Sequence, residues 1–328
     1  MKEIFKNYNL QLFADLNTQT TASADLSVEM KTYYSDYLLD NAEPNLVHDQ
    51  FAQKHPIPQN GGKTIEFRKF IPLGKALTPI VEGVTPKGNT LSVTKVEATI
   101  DQYGDYVTLS DLVQLTAIDN MLLETTKLLG YQAGQTLDTV TREVLNGGTS
   151  VIYSGDKEAR ASLDGNCKIT VDDIYKAARF LKKQNAPKIE GGYVAIVHPD
   201  VAYDLMRDEE WIDVHKYSAT KEIFEGEIGK IAGVRFVEST EAKIFADAGA
   251  DGRDVYSTLV LGANAYGVTE ISGGGLQHIV KQLGSGGTSD PLNQRGTAGW
   301  KATKVAERLV ETYMVRIESA SSFESGAN

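Results

Sequence analysis

The amino-acid sequence predicts an α+β fold, and three observations lead to it. Helical and strand periodicities interleave along the 328 residues without the regular strand–helix–strand spacing of a parallel sheet. Between Pro58 and Thr108 the periodicity is two, broken by one stretch rich in proline and glycine; this is the material of a long two-stranded ribbon with no core of its own. Further on, a His198-Pro199-Asp200 turn and a short helix precede Gly226-Glu227-Ile228-Gly229-Lys230-Ile231-Ala232-Gly233-Val234-Arg235-Phe236-Val237-Glu238-Ser239. That segment reads as a turn feeding a strand.

From the N-terminus, residues 1 to about 27 are rich in Asn, Thr, Gln, Ser and Ala and poor in apolar residues, which predicts an extended arm. Leu26, Met30, Tyr33, Tyr34, Tyr37 and Leu38 then recur at helical spacing between Asp25 and Asp40, and Asn41 to Pro44 end the pattern. In the ribbon, Thr64–Phe70 and Leu91–Ile100 alternate as strands around Pro72, Gly74, Pro79, Gly83, Pro86 and Gly88. The apolar phase slips between Val93 and Val96, which implies a bulge or a change of buried face. A ribbon so thin is marginal alone and needs a surface outside itself to lie on.

Thr108-Leu109-Ser110-Asp111 reads as a capping box opening one helix that runs to Asn146, stopped by Gly147-Gly148. Leu112, Leu115, Ile118, Leu122, Leu129, Ala133, Leu137, Val140 and Val144 make its apolar stripe, and at 1.5 Å per residue the rod is roughly 50 Å long. Gly130 and Gly134 could interrupt it; close approach of another backbone is the preferred reading. Thr170-Val171-Asp172-Asp173 is a second capping box, for a helix through Ile174, Ala177, Ala178 and Leu181 that ends before Pro187. Gly192–Val197 has the unbroken apolar character of a strand buried on both faces. Pro199 suits the first position of the helix that follows, over Val201 to Asp208. Ser257–Gly262 is another strand, a flexible stretch is expected around Gly284–Gly287, and Tyr313–Glu318 alternates as a half-exposed terminal strand.

Composition narrows the function. At this length a chain buries about three quarters of its unfolded surface, so metals and disulfides are not needed for stability. One cysteine, Cys167, excludes an intramolecular disulfide and a CxxC metal cluster. A net charge of -11 argues against general nucleic-acid binding, which depends on Lys and Arg neutralising phosphates; a container that encloses DNA without gripping it can still be acidic. No signal-peptide run and no stretch of ~18 apolar residues occurs, so a soluble chain made in the cytoplasm is expected.

Candidate chemistry is thin. The Gly226–Ser239 glycines fit neither G-x-G-x-x-G nor G-x-x-x-x-G-K-[ST], and they precede a strand where a nucleotide loop would follow one. Asp247-Ala248-Gly249-Ala250-Asp251-Gly252-Arg253-Asp254 spaces carboxylates around a glycine as a calcium loop does. However, the third position is Gly249 and the twelfth is Thr258, where an EF-hand needs oxygen ligands. A polar hairpin tip is the plainer reading. His198 and His215, with Asp200 and Asp213, could make an acid–base or metal pair, the basis of a hydrolase alternative, but no HExxH or G-x-S-x-G accompanies them. Cys167, beside Asp164, Gly165 and Asn166 before a helix, is read as structural, and Trp300 as a packing anchor for the terminal segment. No catalytic, metal or cofactor site is predicted.

Gly226–Ser239 and the His-Pro-Asp turn resemble the outer-domain signature of tailed-phage major capsid proteins with the Hong Kong 97-like fold. Within that fold the sequence is most similar to the N-four-type podophage major capsid family. That likeness rests on Leu77-Thr78-Pro79-Ile80-Val81-Glu82-Gly83-Val84-Thr85-Pro86, Tyr103-Gly104-Asp105-Tyr106-Val107, Ser289-Asp290-Pro291-Leu292 and Gly299-Trp300-Lys301, and it covers most of residues 25 to 320. The resemblance implies an N-terminal arm with an amphipathic helix (1–55), an extended ribbon or E-loop (56–108), a peripheral domain with a spine helix (109–190 and 290–328) and an axial domain (191–289).

It further implies self-assembly into pentamers and hexamers of an icosahedral head that encloses double-stranded DNA. The partners would be further copies of itself, a portal and a scaffolding protein, with no membrane. Such a head would be built in the bacterial host cytoplasm and reside in the virion. An encapsulin-type compartment shares the fold and is the alternative container. Candidate assembly contacts are Leu77, Pro79, Val81, Glu82, Gly83 and Pro86 on the ribbon tip, and Asp247, Asp251 and Asp254 near the capsomer axis. For the lysine–asparagine cross-link known in this fold the chain offers Lys63, Lys69, Lys75 and Lys87, none with a local activating feature.

Overall fold

The computed structural model describes residue 38 and residues 46–56, 63–70, 73–80, 82–85, 88–117, 120–212, 227–269, 275–287 and 290–328. Its strands in chain order are β1 (Gln53–His55), β2 (Thr64–Phe70), β3 (Val93–Thr99), β4 (Asp101–Ser110), β5 (Val151–Tyr153), β6 (Tyr193–Val197), β7 (Glu227–Ile231), β8 (Val234–Glu238), β9 (Ile244–Phe245), β10 (Val255–Leu261), β11 (Tyr266–Thr269), β12 (Leu276–Lys281), β13 (Arg295–Lys304), β14 (Ala306–Arg308) and β15 (Met314–Ser319). The helices are α1 (Asp111–Thr116), α2 (Met121–Asn146), α3 (Val171–Lys183) and α4 (Pro199–Met206).

Unbroken apolar and β-branched runs make β6 and β10 buried along their whole length. They lie at the middle of a seven-stranded sheet ordered β5-β15-β10-β6-β8-β7, with β9 also on β10. Alternate residues serve two cores. Tyr193, Ala195, Val197, Tyr256, Val260, Val315 and Ile317 pack with α3 and α4; Ile196, Leu259, Leu261 and Met314 pack with Leu145 of α2. The predicted capping box at Thr170 is complete: its hydroxyl accepts from the Asp173 N–H, and the Asp173 carboxylate accepts from the Thr170 N–H.

Three expectations are corrected here. The terminal strand β15 is fully buried, because it runs between β5 and β10 instead of along an edge. Its alternating charges are satisfied internally: Glu318 accepts from Arg160 Nε and Nη2 at 2.7 Å each, and Arg316 Nε lies 2.7 Å from the same carboxylate. Second, Gly226–Ser239 holds a hairpin, since Glu227–Ile231 is itself a strand. Ala232 and Gly233, at φ 55° and 84°, form the two-residue connection between β7 and β8. Third, the long helix starts later than predicted. Thr108 pairs with Thr297 inside β4, Ser110 caps the six-residue α1, and the chain is extended at Ala117 before Asn120 caps α2. With 26 residues α2 is about 39 Å long, and Gly130 and Gly134 lie buried inside it without a break.

The middle of α2 packs on a second sheet, β12-β13-β4, through Leu129, Ala133 and Leu137 against Ala298, Trp300 and Ala302. Trp300 Nε1 donates to Gln132 Oε1 at 3.1 Å, so this tryptophan anchors the spine as well as the terminal segment. Leu38, helical and buried, joins the same cluster; the rest of the amphipathic helix predicted at 25–40 and the arm before it lie outside the described residues. Where the two apolar clusters along α2 meet, the helix carries buried polar groups. The His48 ring bonds Asp138 at 2.6 Å, and Asp49 accepts from Thr141 at 2.6 Å and pairs with buried Lys304.

Strands β2 and β3 pair without a register shift from Thr64↔Thr99 to Phe70↔Val93, so the phase slip is not a bulge; Leu91 and Val93 are exposed, whereas Ala98 and Ile100 are buried. Ile65, Phe67, Ala98 and Ile100 pack with Val305, and Phe67 seats its ring where a Cβ on Gly267 would come within 2.6 Å. The ribbon's base therefore has a core on its own chain, contrary to the expectation that it has none. Residues 101–110 leave the ribbon and pair with β13.

Replacing Glu318 with Ala leaves Arg316 buried beside no carboxylate, and chemical denaturation of the variant subunit is expected to show a loss of about 3–5 kcal/mol.

Candidate functional site

Between the end of β2 and the start of β3 the described residues carry no strand pairing and offer almost every side chain to solvent. Leu77 is 82% and Ile80 76% exposed, and Leu73, Val84 and Leu91 are exposed as well. Pro79 and Glu82 are exposed, and Gly83 takes the turn at φ 79°. Val81, Pro86 and Lys87 lie outside the described residues, as does the side chain of Lys69. Several large apolar side chains presented together on the connection between two strands form the kind of surface that marks an interaction site. Lys75 is exposed, and Lys63, also exposed, lies 3.7 Å from Asp101. The ion pairs of Lys95 with Glu66 and Glu97 are surface pairs that add little stability.

A second open surface lies on the β12-β13-β4 sheet, on the face away from α2. Gly104 and Gly299 sit there without side chains: a Cβ on Gly104 would meet Trp300 O at 2.7 Å, and one on Gly299 would meet Tyr106 Cβ at 2.7 Å. The result is a trough of about 780 Å³ floored by glycine and bordered by Tyr106, Ile279, Lys281, Asp290 and Lys301. Asp105 is tied towards the spine, where Gln132 donates to it at 2.6 Å and the Tyr106 N–H at 2.8 Å. These two bonds, the first being the larger effect, keep its carboxyl below the ordinary range. Next to this sheet α1 exposes Leu112, Val113 and Leu115.

The acidic loop divides its carboxylates. Asp247 and Asp251 face solvent more than Asp254 does, with φ of 53° and 57°, whereas Asp254 is buried. Asp254 accepts from the N–H of Asp247 at 3.1 Å and from that of Gly326 at 2.8 Å, so within the subunit it is an internal tie. Among the described residues no group of three or more His, Cys, Asp or Glu side chains is arranged to hold a metal ion, and no helix is long and apolar enough to cross a membrane.

His198 is the N-cap of α4: its Nδ1 accepts from the Asp200 N–H at 3.2 Å. Burial pushes its imidazole below the ordinary value, against the upward pull of the Asp200 carboxylate. Asp200 accepts from the Tyr256 hydroxyl at 3.0 Å and from Ser325 Oγ at 2.6 Å. Burial, opposed by Ser325 and reinforced by Asp200, pushes that phenol up to about 12. These bonds are architectural. His215 and Asp213 lie outside the described residues, and Cys167 is buried. The trough and the ties of residues 321–328 had no sequence signal beyond the glycines of Tyr103-Gly104-Asp105-Tyr106 and Gly299-Trp300.

A family model described as phage capsid protein matches residues 93–307. The structure is similar to the capsid of Ralstonia phage GP4, with a TM-score of 0.66 and 16% identity over 84% of this chain and 87% of that one. The capsid structure of cyanophage P-SCSP1u has a TM-score of 0.63 and 16% identity over 83% and 87%. The capsid of cyanophage Pam1 has a TM-score of 0.62 and 14% identity over 85% and 92%. At these identities the likeness is one of fold. No curated protein matches the chain.

In Gly299→Ala the added methyl falls 2.7 Å from Tyr106 Cβ and 2.8 Å from Asp105 O, so β4 must shift. The expected cost is about 1–3 kcal/mol, read from the denaturation midpoint.

Proposed function

This chain belongs to the phage capsid protein family, and we propose that within it the chain is the major head subunit of a tailed phage, most like the N-four-type podophages. Its work is structural, and its place is the virion. The observation that carries the proposal is the contrast along one ribbon: a base packed into the chain's own body through Phe67 and Val305, and a tip whose Leu77 and Ile80 stand uncovered among the described residues. Burying apolar surface of that size is worth roughly 1.5–3 kcal/mol for each large side chain, and a second copy is the partner a shell provides.

In this reading the ribbon tip between β2 and β3 overlaps an adjacent subunit, α2 is the spine of a peripheral domain formed by 109–190 and 290–328, and 191–289 surround the capsomer axis. Pentamers and hexamers close an icosahedral head in the host cytoplasm around a portal and scaffold. The head then encloses double-stranded DNA without binding its sequence, in keeping with a net charge of -11. Leu77, Pro79, Val81, Glu82, Gly83 and Pro86 make the ribbon contact, and Asp247 and Asp251 face symmetry mates. Lys63 and Lys75 are read as ordinary solvated side chains, since both are exposed and the ion pair of Lys63 with Asp101 is a surface pair.

Ile80→Asp puts a charge on the tip and leaves the base untouched. The variant is expected to be soluble, with the thermal midpoint of the native subunit, and to give no closed shells by electron microscopy. Normal shells from this variant would refute the tip contact.

A further inference from the structure

Beyond β15 the chain does not trail away. Residues 321–328 cross α4 and the acidic loop and reach the spine, and almost every step is tied to a group of the body. Asp204 of α4 accepts from Ser321 Oγ and from the Ser322 N–H at 2.8 Å each, and from Ser322 Oγ at 2.5 Å; Lys168 donates to the Ser322 hydroxyl at 2.6 Å. Phe323 stacks edge-on against Tyr203 at 5.2 Å, and its carbonyl accepts from the Tyr256 hydroxyl at 3.2 Å. Glu324 pairs with Arg253 at 3.2 Å, and Ser325 bonds Asp200 and Tyr256.

At the far end, Asn328 uses its amide three ways. It donates to Thr240 O at 2.9 Å and Ala242 O at 2.7 Å, and accepts from the Ile244 N–H at 3.2 Å. Its main-chain oxygen accepts from Nη2 of Arg142 at 3.1 Å, and that arginine is buried on α2.

The asymmetry of burial gives these ties their meaning. The strap residues are mostly exposed, so little apolar area holds them, while Asp204, Asp254 and Arg142 are buried. Without the strap, Asp204 would keep only Lys168, and Asp254 and Arg142 would each lose one of their partners, which is costly for a buried charged group in a way that losing a surface contact is not. Asp254 is central because its two oxygens join the loop to the strap: one accepts from the Asp247 N–H inside the loop, the other from the Gly326 N–H. The segment 240–244 is held from the far side by Asn328. Burial alone would push the Asp204 carboxyl up; the hydroxyl and N–H of Ser322, with Ser321 and Lys168, outweigh it and hold it below the ordinary range. The strap is therefore gripped by a carboxylate in its charged form.

We infer that residues 321–328 are a positioning element that fixes α4 and the segment from Thr240 to Asp254, and so sets how Asp247 and Asp251 are presented. This rests on the reading of those two carboxylates as contacts between symmetry mates, but its first test does not need a shell. Hydrogen exchange on the free subunit is compared between the full chain and a chain ended after Ala320. At least tenfold faster exchange in 200–206 and 240–254, with β6 and β10 unchanged, is the expected result; unchanged exchange in both segments would overturn the inference. Should the shortened chain fail to fold, the full-length double variant Ser325→Ala, Asn328→Ala removes the ties to Asp200, Thr240 and Ala242, and the same readout decides. Electron microscopy of the variant then separates the two readings. Loosened segments with misformed shells support the positioning role, and loosened segments with normal shells overturn it while leaving the ribbon contact standing.

Discussion

One rigid helix serving two sheets is the constraint on which the rest of the subunit depends. The C-terminal end of α2 supplies Leu145 to one face of the seven-stranded sheet, and its middle supplies Leu129, Ala133 and Leu137 to the β12-β13-β4 sheet. Since an α-helix rises a fixed 1.5 Å per residue, the spacing of the two sheets is set by which turns of α2 each one covers. Between the two apolar stretches the helix turns Asp138, Thr141 and Arg142 inward, and each has a partner from a distant part of the chain. Such groups are costly to bury unpaired, so they tolerate few alternatives to the arrangement seen.

With both faces of the large sheet covered, most strong apolar runs are consumed inside the chain. Among the described residues, much of what remains outside lies on the ribbon tip, on α1 and around Tyr106 and Ile279 beside the glycine-floored trough, with Leu128 and Leu292 exposed elsewhere. A subunit that satisfies its interior and leaves its apolar excess at projecting or open places folds alone and is completed by its neighbours. Polar capacity follows a similar division: Asp254 turns inward and ties a loop, while Asp247 and Asp251 keep contact with water.

Much of the local structure was legible because it is written in local chemistry. The capping box at Thr170, the His198-Pro199 start of α4 and the apolar run of β6 each depend on a few adjacent residues. Apart from the β7–β8 hairpin, whose two strands are neighbours, the misreadings concern partners far away in sequence. Met314–Ser319 has the alternation of a half-exposed strand, yet Arg160, which lies 158 residues before Glu318, makes the burial of that carboxylate possible. Thr108 and Leu109 look like the entrance to a helix, but β13 claims them for a sheet and moves the first cap to Ser110. Of the candidate site, the exposure of Leu77, Pro79 and Ile80 followed from proline, glycine and the lack of a core, while the inward turn of Asp254 depended on Gly326 and had no nearby signal.

The seat of Phe67 on Gly267 has a mechanical consequence. A ring resting where no side chain can intervene is a bearing, and the three paired residues of β2 beyond it, Arg68 to Phe70, form a lever of about 10 Å. Tilting that lever by about 10° displaces its far end by roughly 2 Å while the ladder of β2 and β3 stays intact. Copies of one sequence meeting at different curvatures can thus reach the same neighbour without each needing a different fold.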